Sequence, residues 1–182
     1  MVFLPREEKE NMLIFLTGFM GAGKTTTGKK LAALLGYTFI DLDTRIEKET
    51  GLTIVELFNT GEYKFREIES MVLTNSGEMQ NTIISCGGGT PCFNENLTWM
   101  NSHGITVYIR MSPGALFHRL AASKQKRPLL AGKSDIELME YIMETLKERE
   151  YFYNQCHYTV PGENMDVNAL SATIQNGEAQ LR

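Results

Sequence analysis

Between an apolar run that stops at Thr17 and a helix-like pattern that follows Thr25, the chain reads GFMGAGKT, Gly18 to Thr25. This fits G-x-x-x-x-G-K-[ST] at every fixed position, with a strand-like segment before it and a helix-like one after. Glycines at these points let the backbone curl with its N–H groups pointing inward, and the start of the helix adds partial positive charge. Such a cradle suits a polyphosphate. Lys24 is spaced to reach the β- and γ-phosphates and the Thr25 hydroxyl to ligate Mg2+, while Gly21, Ala22, Gly23 and Thr26 fall in the same loop and first turn. The competing reading, an ordinary glycine-rich turn, has the matched spacing and context against it. The motif predicts a nucleoside triphosphate site and leaves open what receives the phosphoryl group.

The rest of the pattern supplies the frame. Met12–Thr17 is a short continuous apolar run of strand formers, as for a strand buried on both faces. Leu31, Leu34 and Leu35 recur at helical spacing, and Gly36 is a helix stop. Tyr37–Asp43 reads as a second strand, ending in two aspartates. Residues 44–79 read as mostly helical, broken near Gly51 and Gly61. Asn81–Gly89 reads as a third strand entering a glycine turn, and Ile105–Met111 as a fourth. Ser112 caps a helix that has Pro113 in its first turn. Ala122–Ser134 is polar, basic and contains glycine and proline, the composition of a functional loop. A long helix over 135–155, a short last strand over 156–162 and a closing helix from Asp166 complete the chain. Strands alternating with helices predict an α/β fold with a mostly parallel sheet covered on both sides.

With 182 residues and 42% hydrophobic content, the chain suits one globular domain. Met12 is where that domain effectively begins, with residues 1–11 an N-terminal extension. A net charge of −4 and a pI near 5.5 argue against a general nucleic-acid binder. Cys86, Cys92 and Cys156 form no CxxC, and reduced thiols in a cytoplasmic protein are the simpler reading. No apolar run approaches the roughly 20 residues needed to span a bilayer. His103, His118 and His157 lack metal-ligand spacing.

Three further motifs bear on the acceptor. In DLD, period-two alternation would put Asp41 and Asp43 on one side of a strand end, where one can hold metal waters and the other can accept a hydrogen bond from an attacking hydroxyl. A solvated acidic turn or a helix cap is the competing reading. In GEYKFREIE, Arg66 and Glu69 share a helical face at i, i+3, which a surface ion pair would also explain. Gly87, Gly88 and Gly89 after a strand allow a ligand to approach the backbone closely, although a tight turn needs no ligand.

Taken in order, the phosphate loop, DLD, GE..FR..E, GGG, the lid-like RPLL and R...Y at Arg149 and Tyr153 resemble the shikimate kinase family, over roughly Met12 to Val160. The resemblance implies a three-layer α/β/α P-loop kinase fold with a five-stranded parallel sheet in the order 2-3-1-4-5. It makes residues 12–182 a single kinase domain with a lid at about 122–134. It also implies ATP-dependent phosphorylation of the 3-hydroxyl of shikimate, on the route to chorismate and aromatic amino acids, with Mg2+ as cofactor; a monomer is the default for a compact kinase of this size. By that likeness Asp43 holds the shikimate hydroxyls, Arg66 and Arg149 clamp its carboxylate, and Gly88 contacts its ring. Asp41 lies near Mg2+, Arg127 is the lid arginine that reaches the ATP phosphates, and Arg119 packs near the adenine.

Residue chemistry agrees with that implication. A small hydroxylated acid calls for planar guanidinium forks and a carboxylate, and a buried Arg66 needs a partner, with Glu69 holding it in place. His157 and Tyr158 stand where the family commonly has an alanine followed by an acidic residue, and the extension at 1–11 is not typical of it. A gluconate-type kinase and a non-catalytic nucleotide-binding module are the rival readings. No N-K-x-D signature of a GTPase is present, and a dead homologue should have lost Lys24, Asp43 or a clamp arginine.

Overall fold

The structure, a computed structural model, describes residues 12–122, 130 and 132–176. Five strands form one all-parallel sheet: β1 (Leu13–Thr17), β2 (Thr38–Asp41), β3 (Thr82–Ser85), β4 (Ile105–Arg110) and β5 (Tyr158–Pro161). Their spatial order is β2-β3-β1-β4-β5, as the resemblance implies. Among the described residues eight α-helices cover the sheet: α1 (Lys24–Leu35), α2 (Leu42–Thr50), α3 (Ile54–Asn59), α4 (Glu62–Thr74), α5 (Asn96–His103), α6 (Pro113–Ala121), α7 (Asp135–Tyr153) and α8 (Val167–Asn176). Among the described residues no helix is long and apolar enough to cross a membrane.

Alternation along the central strands divides the core in two. Ile14, Leu16 and Ile83 face a cluster with Leu31 of α1, Leu116 and Leu120 of α6, Leu138 and Ile142 of α7 and Leu170 of α8. Leu13, Phe15 and Ile84 face the opposite cluster, with Ile46, Leu57, Phe65 and Met100 from α2 to α5. All five residues of β1 are buried, which explains its unbroken apolar sequence. Leu34 departs from the sequence reading: it is 51% exposed, because only one stripe of α1 meets the sheet.

Several local signals act as read. Gly36 and Gly51 end their helices in the left-handed conformation. The Ser112 hydroxyl accepts from the Ala115 N–H at the start of α6. DLD is different. The strand stops at Asp41, which caps α2 by accepting from the Thr44 N–H, and Asp43 lies in the first helical turn. The expected strand-end alternation is therefore wrong, because a capping aspartate takes non-helical dihedrals itself and starts the helix at the next residue. The register then fixes the site: Asp41 stands opposite Ser85, and Ser85 opposite Leu16, so the segments leaving β1, β2 and β3 emerge side by side.

Candidate active site

Gly21 and Gly23 adopt left-handed dihedrals, with φ of 82° and 99°, and Gly23 caps α1. The Lys24 ammonium donates to the carbonyls of Gly18 at 2.7 Å and Phe19 at 3.0 Å, so it lies back over the loop that it belongs to. The Thr25 hydroxyl donates to Asp41 Oδ2 at 3.0 Å and lies 3.5 Å from the Ser85 hydroxyl. A hollow of about 310 Å³ joins Gly21, Gly23, Lys24, Thr25 and Thr26 to Asp41, Asp43, Ser85, Gly87 and Gly88. A larger hollow of about 850 Å³ lies elsewhere, between β4, β5 and α7, and has no phosphate cradle. Size alone does not mark the site; the convergence of polar groups does.

The three successive glycines after β3 leave room for neighbouring side chains. None of them has a positive φ. A Cβ on Gly87 would stand 3.2 Å from Asp43 Oδ1 and 3.1 Å from Glu69 Oε1, one on Gly88 3.1 Å from Arg149 Nη1, and one on Gly89 2.7 Å from Arg66 Nη2. Four side chains distant in sequence from the turn thus meet it, and its Gly87 and Gly88 line the hollow beside Lys24. The sequence reading reserved this space for a ligand; in the structure protein side chains make the close approach. Tyr153, stacked on Tyr108, fixes the turn by donating its hydroxyl to the Gly88 carbonyl at 2.5 Å.

The two arginines differ in their support. Arg66 is 7% exposed and donates to Glu69 at 2.8 Å and to Glu62 at 3.2 Å, with its guanidinium 4.1 Å from the centre of the Phe93 ring. Its second carboxylate is the part that the sequence reading missed, although Glu62 lies at the i, i+4 spacing that could have revealed it. Arg149 is half-buried and, among the described residues, has no carboxylate within ion-pair distance. The Asp43 carboxyl is pushed up to about 6, first by its burial and then by the Asp41 and Glu69 carboxylates, while Lys24 pulls it the other way. Cys92 beside the arginines is pushed up to about 11 by burial, which makes it a poor nucleophile.

On the other side of the phosphate loop, Arg119 donates to the carbonyls of Gly21, Ala22 and Gly162 at 3.1–3.2 Å. It borders a second recess with Ala22, Gly23, Thr26 and Gly162. Arg127, with most of the lid expected at about 122–134, lies outside the described residues, as does the extension at 1–11. His157 has a packing role, since its Nδ1 accepts from the Thr106 N–H at 3.2 Å. Among the described residues there is no cluster of three or more histidine, cysteine or acidic side chains able to hold a metal by themselves.

A parallel sheet in this order, with a triphosphate cradle at the carboxyl end of its central strand, defines a P-loop phosphotransferase fold. The family profile described as "Shikimate kinase" matches residues 20–176. A shikimate kinase of Bacteroides fragilis is 47% identical over 164 residues, covering 89% of this chain and 92% of the relative. The crystal structure of shikimate kinase from Bacteroides thetaiotaomicron superposes with a TM-score of 0.84 at 44% identity, covering 91% of this chain and 97% of the other. That of the Acinetobacter baumannii shikimate kinase in complex with shikimate gives 0.82 at 31% identity, covering 96% and 97%. The chain belongs to the shikimate kinase family.

Proposed function

We propose that this protein transfers the γ-phosphoryl group of ATP to the 3-hydroxyl of shikimate in the cytoplasm, feeding chorismate and aromatic amino-acid synthesis. The observation that carries the reading is the turn at Gly87–Gly89, where Asp43, Arg149 and Arg66 converge beside the Lys24 loop. ATP occupies the N–H cradle of Gly21–Thr26, with Arg119 bordering the base. Shikimate places its carboxylate against Arg66 and Arg149 and its hydroxyls against Asp43 and the backbone of Gly88. Arg149 supplies the guanidinium that no described carboxylate neutralises, and Arg66 arrives already held in place.

Phosphoryl transfer depends on positioning and charge neutralisation more than on covalent help. Lys24 exchanges its loop carbonyls for phosphate oxygens when ATP binds, and by family likeness Arg127 closes over the same charge. Asp43 accepts the hydrogen bond of the 3-hydroxyl and orients it for in-line attack. A carboxyl near 6 is ionised at neutral pH yet basic enough to take the proton as the P–O bond forms. The donor set fits Mg2+: one hydroxyl and one carboxylate, Thr25 and Asp41, are in mutual contact at the end of the cradle. That ion usually keeps several waters and shares its sites with substrate phosphates. When bound, Mg2+ neutralises charge on the phosphate oxygens.

The test is a coupled ADP-release assay with shikimate, with gluconate and without acceptor. Rapid release with shikimate alone is the expected result. Equal release with gluconate, or none with either acid, overturns the reading.

A further inference from the structure

Thr90 follows the glycine turn directly and is fully buried. Its hydroxyl donates to Glu69 Oε1 at 2.6 Å, while Glu69 Oε2 accepts from Arg66 Nη1 at 2.8 Å. The guanidinium in turn lies against Gly89, the residue before Thr90. A ring is thereby closed from Gly89 through Thr90, Glu69 and Arg66. Thr90 is itself pinned, since its carbonyl accepts from Asn96 Nδ2 at 2.9 Å and its N–H donates to the Gly87 carbonyl at 3.2 Å. Asn94 Nδ2 donates to the Arg66 carbonyl at 2.9 Å and ties the same segment back to α4.

A glutamate that is 1% exposed is cut off from bulk solvent, so its second oxygen relies on a partner inside the protein. Without the Thr90 hydroxyl, Oε1 would be an unpaired buried acceptor, and the carboxylate would turn to share both oxygens with Arg66 or move toward Asp43. Either movement would shift the guanidinium from its place against Gly89. We propose that Thr90 is a positioning residue for Arg66, acting through Glu69, and that its hydroxyl sets the affinity for the carboxylate of the acceptor. This rests on the reading that Arg66 takes that carboxylate.

The test compares the full-length wild type with Thr90→Val, Thr90→Ala, Thr90→Ser and Arg66→Ala. KM, kcat and Kd are measured with shikimate and with the analogue whose carboxylate is reduced to an alcohol. The valine and alanine variants are expected to raise KM and Kd for shikimate about tenfold, the loss of a hydrogen bond to a charged group. Their kcat and their KM for ATP stay within twofold of wild type, Thr90→Ser restores shikimate binding, and the alcohol binds all Thr90 variants equally. Should the valine variant not fold, the alanine variant carries the same comparison. An unchanged Kd for shikimate, or an equal loss for the alcohol, overturns the proposal while Arg66→Ala still weakens shikimate alone. If Arg66→Ala leaves shikimate binding intact, the clamp reading itself fails.

Discussion

The phosphate loop is one contiguous stretch, Gly18–Thr25, whereas the proposed acceptor side gathers Asp43 from α2, Arg66 from α4, the turn after β3 and Arg149 from α7. Both use glycine, for different reasons. Gly23 has φ of 99°, which a side chain resists whatever surrounds it. Gly89 has φ of −93°, open to any residue, and is restricted only by the Arg66 guanidinium. The loop stores its specification in backbone conformation, and the cleft stores it in packing between distant elements. A local device tolerates change elsewhere in the fold, while an assembled one fails when any contributor moves.

The largest expected effect lies where the two regions meet. Asp43→Asn should lower kcat about a thousandfold with ATP still bound, as read by steady-state kinetics and nucleotide titration. The same change should stabilise the protein at neutral pH. The Asp43 carboxyl is pushed up to about 6 in the fold, against an ordinary value of 3.8, so the folded state holds the proton more tightly. That contribution is complete below about pH 4 and is lost as pH rises through about 6, a difference of up to about 3 kcal/mol. Thermal melts at pH 4 and pH 7.5 check this: the asparagine variant should gain only at the higher pH.

Arg66→Ala should reduce kcat/KM for shikimate about a hundredfold and leave KM for ATP unchanged. Lys24→Ala should do the reverse and weaken the nucleotide side. If both variants damage both substrates equally, the division into two regions is wrong.

Gly89→Ala should cost about tenfold in shikimate KM by displacing Arg66. Added to Arg66→Ala it should cost nothing further, because the clash is then gone. Gly23→Ala should show no such relief, since its strain is internal, at about 1–2 kcal/mol. The smallest effect is expected of Tyr153→Phe. Releasing the Gly88 carbonyl should lower stability in urea by about 1 kcal/mol and raise shikimate KM a few-fold.

The conformation of the phosphate loop was legible in the sequence, because eight consecutive residues carry it. The sheet order and the identities of Asp43, Arg66 and Arg149 came from likeness to a family, and no spacing rule joins residues so far apart. DLD shows where local reasoning misled. Alternation along a strand gave a plausible reason for two aspartates to face one way, yet a cap-and-first-turn geometry brings them to the same hollow. Thr90 carried no signal at all: a threonine after three glycines becomes informative only when Glu69 is seen against it.

By itself the sequence determined the alternation of strands and helices, several of the helix caps and stops, and the loop that can cradle a triphosphate, since dihedral preference, capping and apolar period act between near neighbours. Only the tertiary structure decided which side chains meet at Gly87–Gly89, which carboxylates hold Arg66, and why Asp43 stays protonated to an unusually high pH. Those depend on register, burial and contact between segments far apart in the chain, and such relations exist only once the sheet has closed its two cores.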